Sequence, residues 1–225
     1  MHRRAFTLIE LLVVVGIIAI LAGLATPAFV NMLRTARMTD QMNNGKQILT
    51  AMIGYSAEIS HGGSLPLYTD PDDPATLVNT SNDAFEILLK GNYLDSKAGI
   101  FNRSSAWCKK VANDSSTKLK VQTGESDWCY VRGLRDTSSS DWPVLANAFA
   151  EGTTTYITND GKKGGVWKGT RAVVIYRGGN GALVETKAKG DTYFIKRADN
   201  PAADAFVPDD DWLNGENIKV LYPKP

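Results

Sequence analysis

Glu10 is the only ionisable residue between Phe6 and Val30, in a stretch that reads FTLIELLVVVGIIAILAGLATPAFV. A carboxylate inside an apolar run is costly and calls for a cationic partner. Other side chains with reactive potential are few. Cys108 and Cys129 are the two cysteines, and an oxidising compartment would permit one bridge between them. It would close a loop of about 22 residues, worth about 3 kcal/mol in the chain-entropy treatment; two free buried thiols are the alternative. Acidic clusters occur at Asp70, Asp72, Asp73 and at Asp209, Asp210, Asp211. Their hard oxygens suit calcium, and the C-terminal cluster is the better candidate, but neither has EF-hand spacing and solvated loops account for both. For catalysis there is no base–nucleophile constellation. The histidines are His2 and His61, and the sequence holds no Gly-x-Ser-x-Gly, phosphate loop, HExxH or CxxC.

The chain that must position these groups has 225 residues, 43% of them hydrophobic, with Lys+Arg 25 against Asp+Glu 24. That length builds one good core, or one domain plus an appendage. The even charge balance excludes a polybasic nucleic-acid binder and an acidic disordered tail. Mean hydropathy below zero excludes a multi-span membrane protein, while a single apolar span would simply be diluted.

Phe6 to Val30 meets the roughly 20 apolar residues that a spanning helix needs, provided Thr7 and Glu10 are tolerated near one end. A core helix of a soluble protein would be shorter and would show a polar face. A cleaved secretory signal is the stronger competitor, since Ala22–Ala28 (AGLATPA) contains an A-x-A-like pattern. Against it stand the five-residue basic start and the acid placed five positions into the following segment. Gly23, Thr26 and Pro27 mark a kink, because Pro27 lacks the N–H that the Gly23 carbonyl would use.

Arg3-Arg4-Ala5 followed by Phe6-Thr7-Leu8-Ile9-Glu10-Leu11-Leu12-Val13-Val14-Val15 resembles the N-terminal processing and methylation segment of type IV pilins and type II secretion pseudopilins. The resemblance implies cleavage between Ala5 and Phe6 on the cytoplasmic side by a prepilin peptidase, then N-methylation of Phe6. Where the family usually has Gly before the cut this chain has Ala5, the next smallest residue, so processing is expected at lower efficiency. The new α-amino group would lie four positions before Glu10, and pairing it with Glu10 of a neighbouring subunit would select one axial register. The resemblance also implies a homo-oligomeric helical filament, other minor pilins or pseudopilins as partners, and an inner-membrane assembly platform. The subunit would sit in the bacterial inner membrane as a single-pass protein, head periplasmic, before entering a periplasmic or extracellular filament. No cofactor is expected apart from the calcium weighed above, which the major pseudopilin of type II secretion binds in its C-terminal loop. Without Arg3 and Arg4 the 25 basic residues become 23 against 24 acidic, so no nucleic-acid surface is expected.

Past Pro27 an amphipathic stripe of Met38, Met42, Gly45, Leu49, Met52 and Ser56 extends the helix to about Ser60, where Gly62-Gly63 stop it. Arg34, Arg37, Asp40, Gln41, Asn44, Lys46 and Gln47 are expected mostly off the stripe. This divides the chain into a leader (1–5), a transmembrane and filament-core helix (6–30), an amphipathic helix packed on the head (31–60) and a globular head (61–225). In the head the pattern predicts a short helix over Ser81–Leu89, closed by Gly91. Strands are predicted at Trp128–Val131, Pro143–Ala148, Thr153–Ile157, Ala172–Tyr176, Ala182–Thr186, Thr192–Lys196 and Ile218–Leu221, with a hairpin over Tyr176–Thr186. A long helix followed by short antiparallel strands is an α+β fold. The head bears a weaker resemblance to pseudopilin-like proteins through Gly124–Leu134, Trp142–Leu145 and Lys163–Gly169, which favours a type II secretion pseudopilin over a type IV pilus subunit, major or minor. A monomeric membrane-anchored ligand-binding protein and a secreted enzyme with a cleaved signal are the readings from other classes.

Overall fold

The computed structural model describes residues 8–58, 62–67, 76–97, 100, 105–108, 118–215 and 217–224. The chain divides into two compact units, Met1–Thr39 and Asp40–Pro225. One helix, α1 (Leu8–Ser56, 49 residues), supplies all the described structure of the first unit and opens the second.

In the second unit α1 turns Gln41, Gly45, Ile48, Leu49, Met52, Tyr55 and Ser56 inward. These positions recur at three- and four-residue steps, the spacing of one helix face. Gln41 was expected off this face and is buried at 3% exposure, since it lies one turn before Gly45 and two before Ile48. The second helix, α2 (Ser81–Lys90), starts with a capping box. The Thr80 hydroxyl accepts from the Asp83 N–H, and the Asp83 carboxylate accepts from the Thr80 N–H. The cap is thus Thr80, immediately before the predicted start at Ser81, and Gly91 closes the helix by donating to the Ile87 carbonyl at 2.9 Å.

Seven strands follow: β1 (Trp128–Arg132), β2 (Pro143–Asn147), β3 (Arg171–Tyr176), β4 (Gly181–Glu185), β5 (Lys187–Lys189), β6 (Thr192–Phe194) and β7 (Lys219–Leu221). Five form an antiparallel sheet in the order β4-β3-β2-β1-β7, and β5 pairs with β6 in a separate hairpin. The β1 and β2 runs, WCYVR and PVLAN, are buried throughout, as suits strands covered on both faces. On one face Trp128 and Ile175 meet α1 at Gly45. Alternation sends Cys129 to the other face, where its sulfur accepts the Phe149 N–H at 3.4 Å. Phe149 packs there against Tyr156 and Phe206, each ring pair 4.9 Å apart.

The α+β expectation is met, with two local departures. Thr153–Ile157 forms no strand: Thr153 N–H turns back to the Ala150 carbonyl, and only a single bridge, Tyr156 to Tyr193, remains. Lys187–Lys189 does form one, paired with β6 although all three residues are exposed. A third departure concerns the cysteines. No disulfide joins Cys108 and Cys129, and both are buried. The Cys129 sulfur is already committed to the β1 layer by the Phe149 N–H and by full burial.

Candidate functional site

From Leu8 to Val30 the first unit is helical surface made mostly of hydrocarbon. Leu8, Ile9, Leu12, Leu24 and Met32 are each at least 69% exposed, and the other large apolar side chains from Leu11 to Leu33 are exposed to a lesser degree. Exposed apolar surface on this scale marks an interface or a membrane segment. The helix is long and apolar enough to cross a membrane, with none of the apolar window buried. At 1.5 Å rise, the twenty residues from Leu11 to Val30 cover about 30 Å, the thickness of the hydrocarbon layer.

Two polar groups interrupt this surface. Glu10 lies in the first turn of α1, where a carboxylate complements the positive helix end. Thr26 donates its hydroxyl to the Ala22 carbonyl at 2.7 Å, so the hydroxyl is satisfied within the helix rather than left to the surroundings. Helix is retained through Gly23, Thr26 and Pro27, and Pro27 stands inside it. Ala5 and Phe6 lie outside the described residues, as do Asp70, Asp72, Asp73 and His61.

The second expected site, Asp209–Asp211, does not form a cation cage. Among the described residues no three His, Cys, Asp or Glu side chains converge to hold a metal ion. Asp209 is engaged by the Arg197 guanidinium, and its other oxygen accepts the N–H groups of Asp211 and Trp212. The sequence reading missed Arg197. Its neighbour in the cluster, Asp199, is two residues away, but Asp209 is twelve residues on, and only the fold brings that carboxylate in.

Comparison with known proteins points to the same N-terminal segment. Residues 1–26 match the prokaryotic N-terminal methylation motif. Prepilin peptidase-dependent protein D of Escherichia coli (strain K12) is 46% identical over 61 residues, 27% of this chain and 40% of that protein. The match therefore spans less than half of the curated relative. No solved structure matches. The chain carries a prokaryotic N-terminal methylation motif ahead of an α+β head.

Proposed function

We propose that this chain is a structural subunit of a pilin-like helical filament, of the type II secretion pseudopilin kind. The observation that carries the reading is the coincidence of the methylation motif with an apolar helix that has no cover of its own. Such a surface is stable in two settings, lipid before assembly and the packed helices of other subunits afterwards. In this reading a prepilin peptidase cuts between Ala5 and Phe6, and Phe6 becomes the methylated N-terminus. Glu10 then meets the terminal ammonium of a neighbouring subunit, where desolvation penalises any register that leaves either charge unmatched. Gly23 and Pro27 are the points at which the packed helix yields. The head, held periplasmic, forms the filament surface, and the role is structural rather than catalytic.

Mass analysis of the native N-terminus tests this directly. The expected product begins at a methylated Phe6. A mature chain beginning after Ala25 or Ala28 would identify a cleaved signal and remove the filament reading. A Glu10→Ala variant is expected to remain in the membrane and to fail in assembly, whereas a monomeric anchored protein would not respond to the change.

A further inference from the structure

The C-terminal loop from Arg197 to Trp212 is organised around a positive charge that belongs to the chain. The Arg197 side chain is 7% exposed, against 55% and 52% for the carboxylates of Asp199 and Asp209 that it binds. Its Nε donates to Asp199 Oδ1 at 2.9 Å and its Nη2 to Asp199 Oδ2 at 2.6 Å, a two-pronged pairing that a planar guanidinium suits. Nη1 donates to Asp209 Oδ2. The guanidinium carbon lies 4.6 Å from the centre of the Trp212 ring, so one face of the cation is covered by an aromatic surface.

The partners are themselves fixed. Asp209 Oδ1 accepts the backbone N–H of Asp211 at 3.1 Å and of Trp212 at 2.9 Å, and the indole N–H of Trp212 donates to the Ala205 carbonyl at 2.8 Å. At the other end of the loop the Arg197 N–H donates to the Ala203 carbonyl at 3.1 Å. A calcium ion would need six to eight oxygens gathered about one point. Here the best-placed carboxylate of the Asp209–Asp211 run is already neutralised, and the run does not converge. The donor set does not fit the metal.

We propose that Arg197 is the resident cation of this loop, in the place that calcium would hold, and that the head is ordered without divalent metal. The proposal does not rest on the filament reading, because its readout is the stability of the head. The test is thermal unfolding of the full-length protein in detergent, once in excess EDTA and once in millimolar calcium. Wild type is expected to melt at the same midpoint in both. Arg197→Gln should melt lower in both, and Arg197→Lys, which keeps the charge but loses the fork, should fall between. A wild-type midpoint that drops by several degrees in EDTA and returns with calcium would overturn the proposal, as would an Arg197→Gln midpoint equal to wild type. If Arg197→Gln does not fold, Arg197→Lys decides in its place: a midpoint below wild type in EDTA supports the role, and an unchanged one ends it.

Discussion

Lys97 and Glu125 form an ion pair with side chains only 4% and 6% exposed. The ammonium donates to both carboxylate oxygens, at 3.1 and 2.8 Å, and Glu125 Oε2 also accepts the Gln122 N–H at 2.8 Å. Removing one partner strands the other charge in a site that excludes water, at a cost of about 3–5 kcal/mol. Lys97→Met should therefore lower the denaturant midpoint of the full-length protein sharply, followed by tryptophan fluorescence. The double variant Lys97→Met, Glu125→Leu should recover most of that loss. A double-variant loss equal to the sum of the two single-variant losses would show that the pair is not coupled.

Gly45 sets the distance between α1 and the sheet. A Cβ at this position would lie 2.6 Å from Ile175 Cγ1 and 2.8 Å from Trp128 Cη2, both on fully buried residues. Gly45→Ala gains about 1 kcal/mol of helix propensity but overpacks the interface by about 1–3 kcal/mol. The net effect is destabilising, and Gly45→Leu is worse. Gly54 in the same helix is the control, since its added Cβ would make ordinary contact with Tyr93 at 3.7 Å. Gly54→Ala should leave the unfolding midpoint unchanged or raise it. The same sign for the two alanine variants would refute this account of Gly45.

How far the sequence discloses such relationships depends on their range. The apolar helix and the buried runs of β1, β2 and β3 rest on local pattern, and they are where periodicity places them. Gly45 is visible as a stripe position, but its closeness to Ile175 is not, because that contact spans 130 residues of chain. Lys187–Lys189 lacks an apolar face and is a strand only because β6 lies opposite it. Trp167 and Lys168 adopt left-handed backbone, φ 57° and 55°, between Gly165 and Gly169, and no local pattern announces it. Arg197 follows the same rule as Gly45: half of its cluster is local, and the half that counts against calcium is not.

Cys129 should be chemically silent in the folded protein. Full burial pushes its thiol up to about 12, despite the Phe149 N–H that favours the thiolate. The thiolate is the nucleophile, so almost none is present near neutral pH. Iodoacetamide is expected to leave Cys129 unmodified in native protein and to alkylate it after denaturation, as read by peptide mass. Rapid native labelling of Cys129 would contradict the burial described for β1.

Asp83 gives the head a defined acid sensitivity. Burial alone would raise its carboxyl, but Lys224 and Thr80 outweigh that and hold it below the ordinary carboxylate value. Lys224 Nζ lies 2.8 Å from Oδ1, and the Thr80 N–H and hydroxyl donate to Oδ2 at 3.0 and 2.7 Å. All three contacts favour the ionised form. With the folded value below the unfolded one, ionised Asp83 contributes its full stability above the unfolded value, about 3.9. That contribution is lost as the pH falls through the lower folded value, because protonation in the folded state then costs what ionisation had gained. Asp83→Asn should melt below wild type near neutral pH, and the gap should narrow on acidification below about pH 4. Thr80→Ala, which removes the hydroxyl half of the capping box, should cost about 1 kcal/mol. Because Lys224 still pairs with Asp83 in that variant, it should keep part of the pH-dependent gap, measured as the difference in midpoint between neutral and acidic buffer. A gap between wild type and Asp83→Asn that widens with falling pH would reverse the sign and exclude the assignment.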